Sequence, residues 1–119
     1  MNKIQAINDF WNGFGLMAYD EGSVPDDAKL PYITYTVGED DFDRPVSLTA
    51  NLWYRSKTWA NITAKCEEIS QKISRGGCMV KYDGGAIWIN KGTPFAQRVA
   101  DPDDSIRRIY INYEVEYIS

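Results

Sequence analysis

A chain of 119 residues and 13.6 kDa has room for one domain, and its 44% hydrophobic and 25% charged residues make a globular composition, with no run near the roughly 18 apolar residues of a membrane-spanning helix. It contains no histidine, which removes Ser-His-Asp and Cys-His nucleophile systems, H-E-x-x-H zinc sites and the commonest proton shuttle near neutral pH, and most hydrolase chemistry with them. The net charge of -4 is spread unevenly, with nine acids against Lys3 and Lys29 up to residue 43 (a balance of -7) and a remainder of +3; tight DNA or RNA binding, which needs dense Lys and Arg, is not expected, whereas head-to-tail contact between copies is.

The chain opens on Asn2, which can cap a helix with Gln5 at its N3 position. Ile4, Ile7, Phe10, Trp11 and Phe14 then recur at spacings of three and four, which predicts a helix over Lys3–Asn12 ended by Gly13 and Gly15. The start of the chain lacks the continuous apolar run of a secretory signal, which points to the cytoplasm. Leu16–Tyr19 reads as a short strand, and residues 20–29 as a polar loop expected to be mobile. A strand follows over Tyr32–Val37, rich in β-branched and aromatic residues, and then an acidic turn over Gly38–Asp43. From Val46 to Tyr54 the alternation is strict, with Val46, Leu48, Ala50, Leu52 and Tyr54 on one face and Ser47, Thr49, Asn51 and Trp53 on the other.

Ser56 or Thr58 is placed to cap a second helix, in which Trp59, Ile62, Cys66, Ile69 and Ile73 share a face and which Gly76-Gly77 stops. Cys78–Tyr82 and Ala86–Lys91 flank Asp83-Gly84-Gly85 as a hairpin. Gly92-Thr93-Pro94 is read as breaking the second of these strands, Phe95–Ala100 as resuming it, and Asp101-Pro102-Asp103-Asp104 as a turn. The last strand, Ile106–Ile118, turns Ile109, Ile111, Tyr113, Val115 and Tyr117 to the core and Arg108, Tyr110, Asn112, Glu114 and Glu116 to water. The order α-β-β-β-α-β-β-β predicts a single α+β domain over residues 1–119, a mainly antiparallel sheet with both helices packed on one face as a two-layer sandwich. No internal repeat, linker or low-complexity tract interrupts it.

The residues that could carry chemistry are few. Cys66 and Cys78 lie outside any C-x-x-C spacing and read as reduced packing cysteines. Glu39, Asp40, Asp41 and Asp43 offer the oxygens that a hard cation wants, yet lack the spacing of a calcium loop; a solvated turn accounts for them, and an electrostatic contact or channel surface stays open. The Asp101, Asp103 and Asp104 group reads as a proline-containing turn. The glycine pairs match no phosphate-binding loop, and Asn61-Ile62-Thr63, a glycosylation triplet by letter, falls inside a predicted helix. Trp53, Trp88 and Tyr110 carry more information, because period-two alternation places each opposite its strand's core residues. A covering segment, a subunit or partner interface, and a nucleotide-stacking platform each account for large aromatics on a wet face.

With these elements in place, several segments resemble the small tail-completion or tail-terminator proteins, of minor-capsid or neck type, found in long-tailed bacteriophages and prophages. They are Leu30-Pro31-Tyr32-Ile33-Thr34-Tyr35, Leu52-Trp53-Tyr54-Arg55-Ser56 running into Trp59-Ala60-Asn61-Ile62, Gly85-Ala86-Ile87-Trp88-Ile89 through Gly92-Thr93-Pro94-Phe95-Ala96-Gln97-Arg98, and Asp103-Asp104-Ser105-Ile106-Arg107-Arg108-Ile109-Tyr110-Ile111-Asn112 to the C-terminus. The resemblance implies a non-enzymatic virion protein without cofactor or metal, assembled in the bacterial cytoplasm as a ring, typically a hexamer, that joins the tail tube of major tail protein to the head connector. In that setting Trp53, Trp88 and Tyr110 are expected at subunit or tail-tube contacts. Glu39, Asp40, Asp41 and Asp43 are expected along a lumen through which DNA passes without sequence-specific binding. A head-completion protein on the connector is the neighbouring alternative; a small metal-dependent phosphodiesterase using the Asp clusters and a monomeric ligand-binding module are the alternatives from other classes.

Overall fold

The computed structural model describes residues 1–38 and 45–118. Its elements, in chain order, are α1 (Lys3–Asn12), β1 (Met17–Asp20), a 3-10 turn (Glu21–Ser23), β2 (Tyr32–Tyr35), β3 (Val46–Arg55), α2 (Ala60–Ile73), β4 (Cys78–Tyr82), β5 (Gly85–Val99) and β6 (Ile106–Ile118). The six strands form one sheet in the order β1-β2-β3-β6-β5-β4, so the last strand made lies at the centre, hydrogen-bonded to β3 on one side and β5 on the other. The acidic residues Glu39, Asp40, Asp41 and Asp43 fall outside the described residues.

Local chemistry sets most boundaries. The Asn2 side chain accepts from the Gln5 amide (2.9 Å) while the Gln5 side chain accepts from the Asn2 amide (2.8 Å), a reciprocal cap that starts α1 where the sequence places it. At its far end Asn12 donates to the Asn8 carbonyl (2.9 Å) and accepts from the Ala18 amide (3.0 Å), which ties the end of the helix to β1 itself. Strand β2 stops at Tyr35 rather than Val37 because the Thr36 hydroxyl takes the Thr49 amide (3.0 Å) in place of a backbone carbonyl. The Thr36 and Gly38 carbonyls turn inward instead and accept from the Tyr113 (2.9 Å) and Tyr117 (2.6 Å) hydroxyls of β6.

The structure corrects the sequence reading at further points. The sheet is mixed: β1 and β2 pair in parallel, Met17 beside Tyr32 through Asp20 beside Tyr35, because residues 21–31 form a crossover that brings the chain back to the end from which β1 started. Neither Ser56 nor Thr58 occupies the cap position of α2. Trp59 does, with no side-chain hydrogen bond, and the Ser56 hydroxyl accepts from the Thr58 amide (3.1 Å) to form a turn before the helix. Gly92-Thr93-Pro94 does not break β5 in two; the strand continues to Val99 through a register shift between Lys91 and Ala96. Pro94 is tolerated there because the ladder is already interrupted, and its carbonyl accepts from the Asn112 side chain (2.9 Å). A Cβ on Gly92 would lie 2.7–2.9 Å from Asn112, so this crossing admits only glycine. Finally, the outer face of the sheet is not uniformly wet, since Thr34 and Asn51 are buried on it at 5% and 3% exposure.

Both helices pack against the inner face. Ala6, Ile7, Phe10 and Trp11 of α1 and Ile62, Ile69 and Ile73 of α2 join Ile33, Leu52, Ile87, Ile89, Ile111, Tyr113 and Val115 of the sheet in one core. Trp11 meets Tyr113 edge to face, with ring centroids 5.1 Å apart, and each fully buried Ile contributes about 1.5–3 kcal/mol through removal from water. Ile4, which the helical spacing assigns to the same face, is 51% exposed at the start of α1.

Candidate interaction surface

The outer face, which no helix among the described residues covers, is built in rows fixed by strand register. One row reads Met17, Tyr32, Trp53, Arg108 and Val99, and the next reads Tyr19, Thr34, Asn51, Tyr110 and Gln97. The Trp53 indole N–H donates to the Thr34 hydroxyl (2.9 Å), and the Arg108 Nε–H donates to the Asn51 side-chain carbonyl (2.8 Å). The Arg108 guanidinium lies 4.7 Å from the Trp53 ring centroid, so the pair roofs Thr34 and Asn51 and accounts for their burial. The Tyr19 and Tyr32 rings meet edge to face beside it at 5.7 Å.

The three aromatics expected to share a surface role are therefore divided. Trp53 and Tyr110 are half-buried on adjacent strands at diagonal positions, Tyr110 standing opposite Asn51. Trp88 stands between Met79 and Glu116 in a separate row, six residues along β6 from Tyr110, roughly 20 Å at ~3.3 Å per residue. Its indole N–H donates to Asn90 (3.2 Å), and Met79 beside it is exposed. The sheet edges are Met17–Asp20 on one side and Cys78–Tyr82 on the other.

A feature that sequence reasoning missed lies at the end of the sheet where β3 stops and β6 starts. Arg98 and Arg107 lie 4.7 and 5.4 Å from the Trp59 ring centroid. Arg107 also donates to the carbonyls of Lys57 (2.9 Å) and Asp104 (2.8 Å). Arg55 donates to the Ser105 hydroxyl (3.1 Å), and Arg108 stands one register step away across the sheet. Residues 55, 57, 98, 107 and 108 thus come to one end of the sheet from three separate stretches of chain, with Arg98 and Arg107 on the helix side and Arg55 and Arg108 on the outer face. Only the pairing of Trp53 with Arg108 and of Arg98 with Ile109 brings them together, and that pairing has no local signal in the sequence.

Among the described residues, reactive groups are not gathered in one place. Burial is the main cause raising both cysteine thiols above their ordinary value, with Glu67 reinforcing it at Cys66 and Lys72 opposing it at Cys78; neither is an activated thiolate. Hydrogen bonds from the Ser105 hydroxyl and amide hold the Asp103 carboxyl below the usual range, as a turn requires. Among the described residues no group of three or more Cys, Asp or Glu side chains is placed to hold a metal ion, and no helix is long and apolar enough to cross a membrane. An open groove of about 590 Å³ between α1, α2 and β4 is lined by Phe10, Phe14, Glu68, Lys72 and Met79 among others, apolar and oppositely charged side chains with no convergent polar set.

The sequence matches no family model and no curated protein. Among solved structures, a chain of the native gene transfer agent virion particle is similar, with a TM-score of 0.64, 15% identity and coverage of 99% of this chain and 87% of that one. That likeness is one of fold.

Proposed function

We propose that this protein is a structural component of a phage-like particle, a non-enzymatic tail-completion protein of tail-terminator type that closes as a ring, a hexamer, between the tail tube and the head connector. The observation that carries the reading is the fold shared with a virion chain over 99% of this one. The surface described above suits it: Trp, Tyr and Arg concentrated on a sheet face that no helix covers is the composition of a protein interface. Trp53 and Tyr110 with Arg108 form one contact surface and Trp88 with Met79 another, and two unlike surfaces on one subunit are what a head-to-tail ring needs.

Negative-stain imaging of the purified protein, alone and mixed with tail tubes assembled from the major tail protein of the same genome, tests this. Rings of uniform diameter seated on tube ends are expected, and a Trp53→Ala variant that keeps its circular dichroism is expected to lose them. Bare tube ends at saturating protein overturn the reading.

A further inference from the structure

The two outer strands of the sheet leave their free edges in different states. On β1 the middle of the edge is closed from within: the Asn12 side chain accepts from the Ala18 amide (3.0 Å) and donates to the Ala18 carbonyl (3.4 Å), standing in for a neighbouring strand. Where β5 outruns β4 beyond Ile89, the edge carries a register shift and Pro94, which has no amide hydrogen to offer. Strand β4 is closed at its ends and open in its middle. Tyr82 and Gly85 flank a two-residue turn, so Tyr82, Val80 and Cys78 exchange backbone bonds with β5, and residues 77, 79, 81 and 83 aim theirs away from it. At one end of that series Gly77 donates to the Ser74 carbonyl (3.4 Å) and accepts from the Ser74 hydroxyl (3.1 Å); at the other the Asp83 amide donates to the Met1 carbonyl (2.7 Å). Between them the amides and carbonyls of Met79 and Lys81 have no partner among the described residues. Beside this open stretch, on the helix side, runs the groove of about 590 Å³ whose apolar lining includes Phe10, Phe14 and Val80.

We propose that β4 of a second copy adds antiparallel to this edge about a two-fold axis, joining two six-stranded sheets into one. The free groups define both the occupant and the register. They lie on two alternate residues, and an antiparallel β4 centred on Val80 offers the same groups in matching positions, so that Met79 bonds to Lys81 of the second copy and Lys81 to its Met79. Of the neighbouring registers, one opposes Lys81 to Lys81, and the other leaves Lys81 facing Gly77, whose groups Ser74 already holds. A longer extended peptide would run into Met1 and Ser74 at the ends of the stretch, whereas two copies of β4 exchange bonds only across the open residues. On the helix side the two Val80 side chains become direct neighbours, and each extends the apolar lining of the other's groove. The contact lies in the plane of the sheet and leaves the outer-face surfaces of Trp53, Tyr110 and Trp88 uncovered. It goes beyond the tail-completion reading and does not rest on it: being isologous, it doubles whatever the other surfaces build.

Cysteine crosslinking and sedimentation velocity test it. In this register residue 80 faces its own counterpart across a non-hydrogen-bonded pair, with Cα atoms about 4.5 Å apart and within disulfide reach. Residue 79 meets its counterpart only diagonally, at about 7–8 Å, beyond that reach. In a Cys66→Ser/Cys78→Ser background, mild oxidation of Val80→Cys is expected to give a disulfide-linked dimer, and oxidation of Met79→Cys little of one. Met79→Pro removes a free amide hydrogen and sets a ring in the path of the incoming strand without breaking a bond between β4 and β5. With wild-type circular dichroism it is expected to sediment at half the mass of the fast-sedimenting wild-type species; if it does not fold, the crosslinking comparison decides. Equal masses for wild type and a folded Met79→Pro, or Val80→Cys that crosslinks no better than Met79→Cys, overturn the proposal. Rings seated on tail tubes without the Val80→Cys crosslink sink this contact alone, whereas a crosslinked dimer that ignores tail tubes upholds it and sinks the tail-completion reading.

Discussion

Tyr113 of β6 sits at the junction of every layer. Its ring is wholly buried against Trp11, and its hydroxyl donates to the Thr36 carbonyl at 2.9 Å. Burial is the main cause that pushes its phenol well above the ordinary value of 10.0. The folded chain therefore keeps this proton when the unfolded chain has lost it, so the contribution is intact below pH 10.0 and declines as pH rises toward the folded value. Tyr54, raised chiefly by burial with Glu68 adding to it, acts in the same direction. Urea denaturation followed at pH 8 and pH 11 is expected to show lower stability at the higher pH, and Tyr113→Phe is expected to flatten that fall. The variant also loses about 1 kcal/mol at neutral pH with its hydrogen bond to Thr36. Trp53 shows the complementary case of an aromatic whose alternation is legible but whose surroundings are not. Period two puts it on the outer face, whereas its hydrogen bond to Thr34 and its stacking with Arg108 arise from strands β2 and β6, remote in sequence.

Among the elements, α1 depends most visibly on local chemistry. Its reciprocal Asn2–Gln5 cap satisfies amides that the first turn leaves open, and Ala6, Ile7, Phe10 and Trp11 then face the sheet. Asn2→Ala is expected to cost about 1 kcal/mol, read as a lower thermal midpoint with unchanged circular dichroism at low temperature. Helix α2 reaches its predicted end without a comparable start: Trp59 contributes no cap, and its indole is held by Arg98 and Arg107 instead. The termination also differs in detail from the glycine pair that announces it. Ser74 and Gly77 carry the positive φ values, and a Cβ on Gly77 would come within 2.5 Å of the Asn90 side chain. Strand β5 is the element that sequence divides and structure joins. Gly92 and Pro94 are strong breakers in isolation, yet the close approach to Asn112 turns the interruption into a change of register within one strand.

At the scale of the whole molecule, the mix of aromatic and charged side chains on the exposed surface becomes a property of assembly. Contacts between exposed charges are screened over about 10 Å at 0.1 M salt and about 3 Å at 1 M. The fast-sedimenting fraction of wild type is accordingly expected to shrink as NaCl rises from about 0.05 M to about 1 M. A contact held mainly by Trp53, Tyr110 and Trp88 would persist or tighten over that range, so the salt series measures how the work is divided between the aromatic surfaces and charged side chains.

The sequence by itself determined the element order, the limits of α1 and β6, the faces of β3 and β6 and the hairpin at Asp83-Gly84, because each follows from caps, turns and periodicities spanning a few residues. The tertiary structure decided what depends on which strands meet: the parallel pairing of β1 with β2, the central place of β6, the roof of Trp53 and Arg108 over Thr34 and Asn51, and the meeting of Arg98 and Arg107 on Trp59. Partners some fifty residues apart on β3 and β6 leave no short-range mark, since strand pairing is chosen by the fit of whole faces around one core rather than by any local run of residues.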